Sequence, residues 1–135
     1  MASSKGDRYT TRAVSEDAAV RVEGATPDRL AVHAPKELGG PDGGWDPERL
    51  YAAALATCLH QSVVLIASSA GVSTADSAVH AEVTVRGRSA ASCELEAALR
   101  VELPGASDAD ERERLIARAA AHCPLVDESQ VTVMS

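Results

Sequence analysis

The sequence predicts one α+β domain with the element order β-β-β-α-β-β-α-β. Three patterns lead there. Short β-like segments divided by turn residues fill the first 34 positions. A long apolar helix pattern follows residue 46. Two strands with clean two-residue alternation then precede a second helix pattern.

Residues 7–14, 18–23 and 28–34 read as the three opening strands, separated by Ser15-Glu16-Asp17 and by Gly24-Ala25-Thr26-Pro27. Residues 35–44 read as a loop, because Gly39-Gly40-Pro41-Asp42-Gly43-Gly44 breaks any regular element. Asp46-Pro47-Glu48 then begins a helix. Asp46 can cap free N–H groups, Pro47 suits the first helical position, and Glu48 complements the positive end of the dipole. The pattern runs to about residue 70, and Gly71 stops it. The helix is rich in alanine and carries Leu50, Leu55, Leu59, Val63, Val64, Leu65 and Ile66. It is apolar around most of its circumference and is expected to be central, packed on the antiparallel sheet and buried on more than one side.

Residues 77–88 alternate, with Val79, Ala81, Val83 and Val85 against His80, Glu82, Thr84 and Arg86. Residues 93–103 do the same. Cys93, Leu95, Ala97, Leu99, Val101 and Leu103 line the apolar face. A turn over residues 87–91 makes the two an antiparallel hairpin. Ser107 with Asp110 resembles a capping box for a helix ending near Cys123, and Pro124 marks the exit. Residues 130–134 can add a short last strand.

Composition narrows the function. Thirteen basic residues face twenty acidic ones, a net charge of −7, which argues against nucleic acid and anionic membranes as partners. No long apolar run lacks polar interruptions, so no transmembrane helix is expected. The first residues have no apolar signal core, so a cytoplasmic location is expected. Phenylalanine is absent, and Trp45, Tyr9 and Tyr51 are the aromatics. Alanine and valine each bury less area than leucine or phenylalanine, so a chain of this size gains by burying further surface in an oligomer.

The chain has three cysteines. In a reducing compartment, cysteines are more often catalytic, redox-sensing or metal-binding than structural staples. Cys93 falls on an apolar strand face and reads as a small buried hydrophobe. Cys-x-x-Cys and His-x-x-x-His spacings are absent, so no metal is expected, and no nucleotide-binding loop implies a cofactor. Cys58 shares a helix stripe with Glu48, Tyr51 and Leu55. Alone, it reads as a packed core residue. A reactive thiolate needs a cation or hydrogen-bond donors, and neither is adjacent in sequence; His60 points to nearly the opposite side of the helix. Cys123 lies at a helix C-terminus, where the negative dipole end raises a thiol's pKa. Cys58 is then the better nucleophile, and Cys123 suits a resolving thiol or a plain helix-terminal residue. Glu48 stands ten residues before Cys58, about 15 Å along a straight helix. It serves the same site only if the helix bends or if a second subunit supplies it from an antiparallel helix; otherwise it is a dipole-complementing residue.

Pro35-Lys36-Glu37-Leu38-Gly39-Gly40, Gly44-Trp45-Asp46-Pro47-Glu48-Arg49-Leu50 and Ala56-Thr57-Cys58 together resemble the OsmC/Ohr family of thiol peroxidases, as does Cys123-Pro124 more weakly. The order and spacing of elements fit over nearly the whole chain. The resemblance implies an intertwined homodimer with two sites at the subunit interface. It implies that Cys58 attacks an organic or fatty-acid hydroperoxide, becoming a sulfenic acid, and that Cys123 resolves it as a disulfide. It further implies that Glu48 orients an arginine, and that a dithiol or lipoylated protein is the reductant. The position that carries the family arginine holds Glu16 here, with Arg12 and Arg21 as possible substitutes. The competing readings are a weakly active or non-catalytic relative, binding a small apolar ligand or sensing oxidants at the dimer interface, and a thiol enzyme acting on another electrophile.

Overall fold

A computed structural model describes residues 6, 8–41, 43–87 and 92–135. The chain divides into two compact units, Met1–Pro47 and Glu48–Ser135. The element order is α+β, with two α-helices and two three-stranded sheets among the described residues.

The N-terminal unit is an antiparallel meander of β1 (Ala13–Glu16), β2 (Ala19–Val22) and β3 (Arg29–Ala31). The first strand lies later than expected. Of residues 7–14 only 13 and 14 belong to it, and Asp7 is outside the described residues. Ser15 and Glu16, read as turn, extend the strand, because the reversal needs only Asp17 and Ala18, with Ala18 at φ 57. The second turn contains Gly24 and a cis Thr26–Pro27 peptide.

Within the expected 35–44 loop, Lys36–Leu38 forms a 3-10 turn. Gly39 ends it at φ 89, and the Gly40 N–H donates to the Pro35 carbonyl at 3.0 Å. A side chain at Gly40 would meet the Ala34 carbonyl oxygen at 1.8 Å, so the close approach requires glycine. Asp42 lies outside the described residues.

The C-terminal unit starts with the long helix α1 (Pro47–Ser69), 23 residues. Strands β4 (Ala78–Arg86) and β5 (Glu94–Glu102) pair antiparallel, from Ala78 opposite Glu102 to Arg86 opposite Glu94. Positions 88–91 of the expected connecting turn lie outside the described residues. Helix α2 (Ala109–His122) follows, and β6 (Val131–Val133) runs parallel to β5. The sheet is therefore mixed rather than wholly antiparallel, since a strand returning through a helix enters in the same direction as the strand before it.

Two local readings are corrected. The α2 cap is Asp108, whose side chain accepts from the Glu111 N–H at 3.1 Å; the Ser107 and Asp110 box does not form. Cys93 precedes β5 and is exposed, not buried. The buried alternation of β5 begins only at Leu99, and Leu95 is also exposed.

One core organises this unit. Leu55, Leu59, Val63, Ile66 and Ala67 of α1 pack with Leu99 and Val101 of β5, Leu103, and Leu115, Ile116, Ala119 and Ala120 of α2. Val79, Ala81 and Val83 of β4 close its edge. The α1 residues recur at three- and four-residue steps, which is the stripe that a helix lays on a sheet. The expectation of burial on more than one side is not met within the chain. Tyr51, Val64 and Leu65 of α1 are exposed, Leu65 by 64%. A single small sheet and one further helix cover only one face of a helix this long. By length and composition alone α1 could also cross a membrane, contrary to the sequence reading. The core helix of a water-soluble fold passes the same test.

Leu59 is fully buried. Leu59→Ala should lower unfolding stability by about 2–5 kcal/mol, read from the shift in a urea transition, because the cavity is walled by secondary structure on several sides.

Candidate functional site

The fold brings two of the sequence-selected residues into contact. Cys58 lies at the middle of α1, and Cys123 caps the C-terminus of α2. The Cys123 thiol donates to the Cys58 sulfur, with the sulfurs 2.7 Å apart. Only small side-chain adjustments separate this contact from a disulfide bond of ~2.05 Å. Neither partner is placed by chance. Cys58 follows Leu55 by three residues and precedes Leu59, so it sits at the edge of the buried stripe and packs against the core. Cys123 follows Ala119 and Ala120, both buried, and belongs to the core itself.

Pro124 cannot continue α2, and the chain turns sharply there. The Cys123 N–H donates to the Ala120 carbonyl, and the Val126 N–H reaches the Cys123 carbonyl. The turn brings the backbone N–H groups of Leu125 and Val126 near the Cys123 thiol, where they favour its ionised form. Sequence reasoning missed these donors, although Cys-Pro at a helix end was a usable sign of such a turn. Burial pushes the Cys123 thiol above its ordinary value, and hydrogen bonding to Cys58 pushes it the same way. The Leu125 and Val126 N–H groups offset only part of this. The expected direction is present, but its leading cause is burial rather than the helix dipole.

Glu48 is not brought to the thiols. It occupies the first turn of the same straight run of helix, about 15 Å from Cys58. One of its carboxylate oxygens is buried without a hydrogen-bond partner among the described residues. His60 is turned away to Ser77, with its Nε2 2.9 Å from the Ser77 Oγ. His122 is exposed in the last turn of α2. In the N-terminal unit, Glu16 binds Arg21 at 3.2 Å, and Arg12 lies 3.8 Å from Glu23. Both arginines considered as substitutes thus face carboxylates of their own hairpin. Among the described residues no group of three or more His, Cys, Asp or Glu side chains converges as a metal site would require.

A buried thiol at the end of one helix, held against a second thiol on another, defines a dithiol protein of mixed α+β fold. The chain belongs to the OsmC-like protein family, whose model matches residues 40–130. Among solved structures it is similar to the organic hydroperoxide resistance protein OsmC of Legionella pneumophila, with 29% identity over 93% of each chain and a TM-score of 0.76. An organic hydroperoxide resistance protein from Elizabethkingia anophelis shares 26% identity over 97% of this chain and 99% of its own, with a TM-score of 0.83. The organic hydroperoxide resistance protein OhrB of Bacillus subtilis, at 20% identity, has the same fold, with a TM-score of 0.70 over 93% of this chain and 95% of its own. No curated protein matches the chain.

The raised Cys123 value has a stability consequence. The folded state holds this proton more tightly than the unfolded chain, so its contribution is full below the unfolded thiol value of about 8.5 and is lost as pH rises through the higher folded value. Reduced protein should therefore lose stability as pH rises above about 8.5. In Cys123→Ser that part of the slope should vanish, measured by urea unfolding at a series of pH values.

Proposed function

We propose that this protein is a cysteine-based peroxidase that reduces organic or fatty-acid hydroperoxides. The observation that supports it best is the 2.7 Å approach of Cys58 and Cys123. The names of the Legionella and Elizabethkingia relatives, both organic hydroperoxide resistance proteins, point to the substrate class.

In this reading the Cys58 thiolate attacks the outer peroxide oxygen and the O–O bond breaks. The alkoxide leaves, takes a proton and becomes the alcohol. Cys58 is then a sulfenic acid, oxidised by two electrons. Cys123 attacks that sulfur, its proton and the sulfenic hydroxyl leave as water, and a Cys58–Cys123 disulfide remains. Cys123, buried and held protonated, does not compete for the peroxide but stands in contact with the sulfur it must attack. A dithiol, free or carried as a lipoyl group, returns the pair to the reduced state.

The reading includes a homodimer. Tyr51, Val64 and Leu65 leave an apolar face of α1 uncovered. Two α1 helices packed antiparallel about a two-fold axis set Glu48 of one copy beside Cys58 of the other when they cross midway between those positions, at Ala53. Ala54, one turn before Cys58 on the same side of the helix, is small enough for close helix approach there.

A second reading is favoured by one specific feature. Glu16, which the family resemblance puts at the position of the family arginine, is ion-paired to Arg21. If no other cation activates Cys58, the protein is a slow relative that senses oxidants or holds an apolar ligand at the interface.

Cys58→Ser should reduce organic-hydroperoxide turnover to the uncatalysed background. Cys123→Ser should still consume one peroxide per subunit and accumulate a dimedone-reactive sulfenic acid at Cys58. In the unmodified chain, mass spectrometry should instead find the Cys58–Cys123 disulfide. Unchanged turnover in Cys58→Ser would remove the peroxidase reading. In sedimentation, the protein should run at twice 14.0 kDa, and Ala54→Arg should shift it toward the single-chain mass.

A further inference from the structure

Two thiols held in contact can chelate a ligand that a single thiol binds only loosely. We propose that reduced Cys58 and Cys123 together form a binding site for trivalent arsenic that carries one organic group and has two positions left to bond sulfur. The inference goes beyond the peroxidase reading and shares with it only the thiol pair.

Three properties of the pair select this ligand. The first is the number of donors. The Cys58 and Cys123 sulfurs are in contact, and among the described residues no group of three or more His, Cys, Asp or Glu side chains converges. Zinc takes four ligands, so the pair cannot complete its shell. Inorganic arsenite has three positions to exchange and would keep one hydroxyl. A monosubstituted arsenical has two, and the pair fills both.

The second is the separation of the sulfurs, 2.7 Å. A pyramidal arsenic centre holds two sulfurs at nearly a right angle. With a bond of about 2.3 Å, the length of zinc to thiolate, it sets them about 3.3 Å apart. A linear two-coordinate cation with the same bond sets them about 4.6 Å apart. The arsenical therefore asks for the smaller displacement from a contact that core packing holds at both ends, through Leu59 beside Cys58 and through Ala119 and Ala120 beside Cys123.

The third is charge. Each sulfhydryl proton leaves with one arsenic hydroxyl as water. Two As–O and two S–H bonds break, two As–S and two O–H bonds form, and no electron is transferred, so the product is neutral. A monovalent soft cation on two thiolates instead leaves one net negative charge beside Cys123. That residue is 3% exposed, and burial already pushes its thiol upward.

The contact also makes the second As–S bond intramolecular, and linked contacts of this kind gain about 10²–10⁴-fold over a single one. Cys93 is exposed ahead of β5 and takes no part in the contact. It serves as the internal example of a thiol without that gain.

The test uses the full chain in its own oligomeric state, so access to the pair is measured rather than assumed. The reduced protein is treated with phenylarsine oxide and then with excess 2-mercaptoethanol. Intact-mass measurement should find one phenylarsenic group retained per subunit, and 2,3-dimercaptopropanol should strip it. Peptide mapping after alkylation should find Cys58 and Cys123 protected and Cys93 alkylated, a readout that needs no variant. The mercaptoethanol concentration that removes half the label should fall about a hundredfold or more in Cys58→Ser and in Cys123→Ser, the low end of the gain from an intramolecular second bond. It should stay unchanged in Cys93→Ser. A folded chain that takes up no label, a label that maps to Cys93, or one stripped equally from the unmodified chain and from Cys123→Ser would overturn the inference. Treatment of the reduced protein with an organic hydroperoxide separates the two claims. Thiols that stay reduced under peroxide yet retain phenylarsenic remove the peroxidase reading alone. A peroxide-made disulfide in a protein that never retains phenylarsenic removes the arsenical site alone.

Discussion

The contact between the two thiols depends on the burial of one face of α1. Leu55, Leu59, Val63 and Ile66 lie on β5 and α2, and each buried aliphatic side chain contributes about 1.5–3 kcal/mol relative to exposure. That packing fixes the rotation of the helix about its axis. Cys58, one step from Leu59, is therefore turned toward the end of α2 at the edge of the buried stripe. α2 is fixed by the same core through Leu115, Ile116 and Ala119. Cys123 arrives opposite Cys58 because both helices answer to one set of apolar contacts.

The two cysteines acquire different characters from this common core. Cys123 is a core residue that happens to carry a thiol, and burial keeps it protonated. Cys58 lies at the boundary between core and solvent. This asymmetry underlies the proposed division into attacking and resolving thiols. It also explains the value of Pro124. By ending α2 at once, it brings the chain back past Cys123, where the Leu125 and Val126 N–H groups partly offset the rise that burial causes.

Much of the fold was legible because its signals are local. Asp46-Pro47 and Gly71 bracket α1, and the alternation of Val79 to Val85 and of Leu95 to Leu103 marks the hairpin. Boundaries failed where a non-local hydrogen bond decided them. Ser15 and Glu16 look like turn residues but pair across to Val20 and Ala19. Ser107 looks like a cap, yet Asp108 takes the role because its carboxylate reaches the Glu111 N–H. Cys93 follows the apolar alternation of β5, but the core does not extend that far along the strand.

The sequence by itself determined the classes of element, their order and the identity of the unusual residues. Periodicity, caps and turn residues act within a few positions of one another, and the motif around Cys58 is contiguous. The tertiary structure alone decided that Cys58 and Cys123 touch, that Glu48 does not reach them along its own helix, and that Arg21 is held by Glu16. Sixty-five residues separate the two thiols, and no local rule acts over that distance. Their meeting is set by how two apolar helix faces share one core, a property of the packed chain rather than of any segment of it.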